Sequence, residues 1–271
     1  MPATARDARH PARVVLLGAS NLAMSLPHAL AALAARVEMS PAAETAEPVH
    51  VLCANGHGRS YGLGSTVLVR WLPGIVGCGL WDALERDAST RPGATEAVLL
   101  DVGNDVPYGV PVATVLDWAR TCLTRLAAVD ARVTVVGLPI ARVERLHPVA
   151  LRVVHRALFP FSRVPPAELL PRARAIDAGL RDLAETFGAR HRSLPLDWYG
   201  LDPIHVRPSA RADAWRDWLD ASHSAPPPSS ALRRFCRRAA VRGPARRRVF
   251  GIVQRGQQPV GRWRDLSLSL Y

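Results

Sequence analysis

Short apolar, β-branched runs recur along the chain at residues 14–17, 49–53, 97–102 and 133–138, with a weaker one at 192–196. Their length and continuity fit strands buried on both faces, as in a parallel sheet. Helical periodicity fills most of the intervals. Residues 23–37 are rich in alanine and leucine, and 112–129 place Val115, Leu116, Ala119, Leu123 and Leu126 on one face. Residues 166–188 do the same with Leu169, Ile176, Leu180 and Leu183, and end near a glycine. Ser209 is the expected N-cap of a last helix over 210–221. The long, glycine-rich connection 56–96 is expected to hold short helices around 67–71 and 80–87, and a loop of that size usually serves a site. Strands alternating with helices predict an α/β protein in three layers, α/β/α, around a mostly parallel five-stranded sheet.

A boundary follows. Residues 225–230 read Ala-Pro-Pro-Pro-Ser-Ser, a stiff polar linker. It divides an expected body, 1–223, from a tail, 224–271, that has few apolar residues and is expected to be weakly ordered. Within the tail, 249–253 is a candidate for one strand or a docking segment. With the candidate chemistry upstream, removal of the tail is expected to leave the body's function intact, unless Phe250, Ile252 or Trp263 packs against it. No internal repeat is visible.

Charge sharpens this division. The chain has 271 residues, a net charge of +12 and no lysine. Residues 231–271 carry 11 arginines against the single acid Asp265, so the body is nearly neutral. The tail is therefore a candidate for weak contact with nucleic acid or an acidic surface. The absence of lysine excludes a phosphate loop of the G-x-x-x-x-G-K type. Cys53, Cys78, Cys122 and Cys236 are scattered without metal or redox spacing and are read as free thiols. Without an apolar run of about 18 residues no membrane span is expected. The arginines at positions 6, 9 and 13 precede too short an apolar stretch for a signal peptide, so a cytoplasmic protein is expected.

Ligands of open parallel sheets sit beyond the carboxyl ends of the strands. Four segments lie there: Gly18-Ala19-Ser20-Asn21, Asn55-Gly56-His57-Gly58-Arg59-Ser60, Gly103-Asn104-Asp105 and Asp202-Pro203-Ile204-His205. Together they offer a serine nucleophile (Ser20), an imidazole base (His205), a carboxylate to orient it (Asp202), and donors for a developing oxyanion. The donors are the Ser20 and Gly58 backbone N–H groups and the Asn104 amide, with Gly56 as the rival to Gly58. His57, Arg59 and Tyr61 are either substrate-facing or solvated loop residues. Glycines 56, 58 and 62 approximate a dinucleotide fingerprint, with one residue too many and no helix evident after them.

In their order and strand positions these segments resemble the four blocks of the SGNH, or GDSL-type, hydrolases over roughly residues 13–222. The resemblance implies a flavodoxin-like fold, no cofactor or metal, and hydrolysis of an ester or thioester through an acyl-enzyme, with Ser20, Asp202 and His205 as triad. Implied substrates are small acyl esters, acylated carbohydrates or lipids. Two positions depart from the pattern. Ala19 stands where the family usually has aspartate, so the carboxylate that helps hold the nucleophile turn is missing. Val102 stands where it usually has glycine, and is expected to push the strand end or narrow the pocket. A non-catalytic binding module on the same fold and a nucleotide-binding α/β protein are the alternatives.

Overall fold

The computed structural model describes residues 11–39, 47–159, 162, 164–221 and 226–271. Arg6, Arg9 and the expected boundary at 223–224 lie outside the described residues. In chain order the strands are β1 (Arg13–Leu17), β2 (Val49–Ala54), β3 (Ser65–Val67), β4 (Arg70–Leu72), β5 (Thr95–Leu99), β6 (Arg132–Val136), β7 (Arg190–Arg192), β8 (Arg247–Val249), β9 (Ile252–Gln254), β10 (Gly261–Trp263) and β11 (Leu266–Leu270). The helices are α1 (Ser20–Glu38), α2 (Leu80–Thr90), α3 (Val112–Ala127), α4 (Ile140–Glu144), α5 (Pro148–Leu158), α6 (Pro166–Thr186), α7 (Arg211–Trp218) and α8 (Ser230–Arg242).

The main sheet runs β10-β11-β2-β1-β5-β6-β7, parallel except where β10 meets β11. Alternation along β1 explains the layers. Val14 and Leu16 face a core shared with α1, α7 and α8, whereas Val15 and Leu17 face one shared with α2, α3 and α6. The chain passes from β1 to β2 on one side of β1 and then returns from β2 to β5 on its other side. The carboxyl ends of β1 and β5 therefore form the switch point at which such sheets bind ligands.

Three expectations about local structure are corrected. Residues 67–71 form no helix; they are the turn and second strand of the hairpin β3–β4, where Leu68 adopts a left-handed φ of 55°. Ser209 caps nothing, because Pro208 starts a 3-10 turn that places the beginning of α7 at Arg211. Segment 249–253 is a hairpin rather than one strand: Phe250 and Gly251, at φ of 48° and 80°, turn β8 into β9, and β8 pairs with β4.

The largest correction concerns the tail. It is no weakly ordered appendage: β11 pairs in parallel with β2, so the sheet has seven strands instead of five. In the Leu-Ser-Leu-Ser-Leu run of β11, Leu266, Leu268 and Leu270 enter the core shared with α1. Amphipathic α8, capped by the Ser229 side chain, adds Leu232, Cys236 and Ala239 to the same core. Among the earlier candidates, Trp263 packs against this core, while Phe250 and Ile252 are exposed.

The amino ends of the strands are held by a buried charge network. Arg13 Nε donates to Asp87 Oδ2 at 2.7 Å, and His50 bridges Asp87 Oδ1 at 2.9 Å and Ser269 Oγ at 2.8 Å. Burial by itself would raise the Asp87 carboxyl, but hydrogen bonds and charge from His50 and Arg13 draw it down to about 2.

Two outcomes follow from this packing. Leu268→Ala is expected to cost about 2–5 kcal/mol in urea unfolding, as for a sealed core leucine; a loss near zero would restore the tail to a loose appendage. Asp87 is depressed below its unfolded value, so its contribution is complete above about pH 4 and disappears as pH falls toward 2. The stability gap between wild type and Asp87→Asn is expected to narrow by about 2 kcal/mol over that window. A gap independent of pH would show that Asp87 acts by packing alone.

Candidate active site

The first turn of α1 begins at Ser20, directly after β1 and Gly18. Its unpaired N–H groups need acceptors, and Ala19, at the N-cap, has no side chain to offer. Asp101 supplies them from the end of β5. Its Oδ2 accepts the Ala19 N–H at 2.7 Å and the Leu22 N–H at 3.3 Å, and its Oδ1 accepts the Asn21 amide at 2.8 Å. The carboxylate that the sequence pattern leaves missing at position 19 is thus delivered by a neighbouring strand. Asp101 has a left-handed φ of 63°, a region that aspartate tolerates better than most residues. Burial pushes its carboxyl up, and the three hydrogen bonds and the nearby His205 draw it part of the way back.

Asn21 extends this arrangement to the loop that carries His205. Its amide nitrogen also donates to Ile204 O at 2.9 Å, and its Oδ1 accepts the Val206 N–H at 2.9 Å. Both peptide groups flanking His205 are therefore fixed to the start of α1. His205 Nε2 lies 2.8 Å from Ser20 Oγ, and its Nδ1 lies 2.6 Å from Asp202 Oδ2. Asp202 Oδ1 accepts the backbone N–H groups of Ile204 and His205 at 3.1 and 3.2 Å. Partial burial would raise the Asp202 carboxyl, but the His205 imidazole and these N–H groups hold it below the ordinary carboxylate range. Three side chains separated by up to 185 positions thus form one continuous hydrogen-bonded relay.

The second and third segments meet beside it. Gly58 has a φ of +62°, and a Cβ there would come within 2.9 Å of Val67 and 3.0 Å of the Tyr108 hydroxyl, so glycine is required by both conformation and space. Asn104 Nδ2 donates to Arg59 O at 2.9 Å, and the Tyr108 hydroxyl donates to Gly58 O at 3.3 Å. Asn104 and Ser20 line one cavity of about 150 Å³. Its remaining wall is mostly apolar, with Leu138, Val143, Leu151, Phe159 and Ile204 among its residues. Part of that wall comes from α4 and α5, which precede α6 and which the strand-and-helix pattern did not anticipate.

Other residues take structural roles. Arg59 is fully buried and donates to Pro73 O at 3.0 Å, Asn55 O at 3.2 Å and the main-chain oxygen of Tyr271, so the tail pins the loop that carries Gly58. Tyr61 is equally buried; its hydroxyl donates to Leu100 O at 2.6 Å. His57 is exposed. Val102 turns into the core with Val15 and Leu17 and lines no part of the cavity, so the expected narrowing does not occur. The glycines of the dinucleotide-like spacing face Leu72 at Gly56 and Trp118 at Gly62, and the chain continues into β3 without opening a helix. Asp101 and Asn21 belong to no pattern that singles them out in the sequence. The signal available for Asp101 is an acid directly after the apolar run Ala97–Leu100.

Replacing Asp101 by alanine leaves three buried donors without their acceptor. A loss of about 2–4 kcal/mol in urea unfolding is expected, on the scale of unsatisfied buried groups, and Asp101→Asn, which presents only one acceptor oxygen, is expected to recover part of it. Wild-type stability in Asp101→Ala would show that water satisfies the turn.

No protein-family model matches the chain, and no curated protein matches it. Among solved structures it is similar to the psychrotrophic esterase EstA from Pseudoalteromonas sp., at 13% identity and a TM-score of 0.44, covering 78% of this chain and 95% of that one. It is similar to the acetyl xylan esterase AlAXEase at 11% identity and a TM-score of 0.49, covering 78% and 100%. The esterase AlinE4, described as of the SGNH-hydrolase family, matches at 15% identity and a TM-score of 0.39, covering 84% and 93%. Likeness at this level assigns neither activity nor residues.

Proposed function

We propose that the protein is a serine hydrolase of SGNH type that cleaves carboxylic esters through an acyl-enzyme. The observation that carries this reading is the relay from Ser20 Oγ through His205 to Asp202, at 2.8 and 2.6 Å. His205 Nε2 removes the Ser20 proton as Oγ attacks the acyl carbon, and Asp202 steadies the resulting imidazolium. The carbonyl electrons move onto oxygen, where the N–H groups of Ser20 and Gly58 receive the charge. Asn104 adds a third donor through the amide hydrogen that it does not give to Arg59 O. As the tetrahedral intermediate collapses, the acyl–oxygen bond breaks and His205 returns its proton to the leaving alcohol. Water, deprotonated by the same imidazole, then releases the acid and regenerates Ser20.

The apolar cavity beside Ser20 supports an apolar acyl group as its occupant. No helix among the described residues is long and apolar enough to cross a membrane. We retain the reading of a cytoplasmic protein acting without cofactor or metal.

A fluorophosphonate probe is expected to label Ser20 alone, as read by mass mapping. Ser20→Ala and His205→Ala are expected to lower p-nitrophenyl butyrate turnover by at least about 10³-fold while the fold is kept. Labelling at another residue, or wild-type turnover in His205→Ala, would overturn the mechanism.

A further inference from the structure

A second cleft opens along α1, between α1, the residues after β2, strand β4 and helix α8, with a volume of about 270 Å³. Met24, Pro27 and Leu72 contribute apolar wall, and Arg70, Arg233 and Arg237 contribute three guanidiniums. No carboxylate lines it, and among the described residues none of these three arginines forms an ion pair. Elsewhere Arg13 pairs with Asp87, Arg36 with Glu96 and Arg91 with Glu47, whereas this cleft gathers three guanidiniums with no acid among its lining residues.

The cleft also adjoins the reacting groups. His57, on its rim, follows directly from Gly56 and precedes Gly58. His57 therefore lines the cleft from the same loop that carries Gly58 beside the relay. Like charges gathered along one cleft repel, and an anion that enters relieves the repulsion. Guanidinium forks match the spacing of phosphate oxygens and hold them bidentately.

We propose that this cleft binds a phosphate monoester or phosphodiester carried on the alcohol side of the substrate. The proposal rests on the hydrolase reading above. His205 must hand its proton to the leaving oxygen, so the alcohol departs on the His205 and His57 side, while the acyl group occupies the apolar cavity. Hydrophobic acid on one side and anionic alcohol on the other is the substrate polarity that the two cavities select.

The test uses the full chain and two readouts. Glycerol 3-phosphate, titrated calorimetrically, is expected to bind wild type at least tenfold more tightly than Arg233→Ala/Arg237→Ala, with affinity falling as salt rises, and glycerol is expected not to bind. Arg237→Ala alone, at a side chain with no described hydrogen bond, guards against loss of fold and is expected to weaken binding severalfold. In kinetics, the ratio of kcat/KM for butyryl-glycerol 3-phosphate over butyryl-glycerol is expected to exceed ten in wild type and to approach one in the double variant. The same preference confined to micellar oleoyl esters would support the subsite with a lipid headgroup as its source; preference with the soluble butyryl esters supports it with a soluble phosphoester. Hydrolysis of the neutral ester with no phosphate preference and no glycerol 3-phosphate binding overturns the subsite and leaves the hydrolase reading standing. Binding without hydrolysis of either ester overturns the hydrolase reading and the assignment of the cleft to substrate.

Discussion

The Asp101 carboxylate is the contact on which the site depends. A helix that starts abruptly after a strand leaves its first N–H groups unpaired, and in a buried position that costs as much as several lost hydrogen bonds. Asp101 answers two of them, at Ala19 and Leu22, and holds the Asn21 amide with its other oxygen. Because Asn21 also grips the peptide groups on both sides of His205, one carboxylate orients the serine turn directly and the imidazole loop through a single intermediate. A relay spanning 2.8 and 2.6 Å tolerates little displacement, so this rigidity matters more than the pairwise strength of any one bond.

Polarity is divided around that relay. Toward α4 and α5 the wall is apolar; toward α8 it is cationic. The division gives meaning to the arginine surplus of residues 231–271, which composition alone associates with nucleic acid or an acidic surface. Part of it is structural: Arg242 donates to Val260 O at 2.5 Å, and Arg248 lies 5.3 Å from the centre of the Trp71 ring. Arg233 and Arg237 face the cleft.

The tail completes the body as well as charging it. Strand β2 would otherwise be an exposed edge, with its N–H and C=O groups unpaired along one side. Strand β11 covers that edge, and the hydrogen bond from Arg59 to the oxygen of Tyr271 carries the connection into the loop bearing Gly58. The Pro-Pro-Pro-Ser-Ser linker is therefore a passage between elements of one core. The alternation Leu266-Ser267-Leu268-Ser269-Leu270 was itself a legible strand signal. Eleven surrounding arginines obscured it, because high charge normally means too little burial to order a chain.

The sequence by itself determined the alternation of strands and helices, four strands of the central sheet and the segments that meet at their carboxyl ends. These depend on local periodicity and on glycine, serine and histidine chemistry, which neighbours in the chain make visible. Tertiary structure decided the rest. Asp101 reaches Ala19 across 82 positions, Arg59 reaches Tyr271 across 212, and residues of α8 and β4 line one cleft. Such pairings have no period and no local composition, since hydrogen bonds and charge act across a few ångströms of space whatever the distance along the chain.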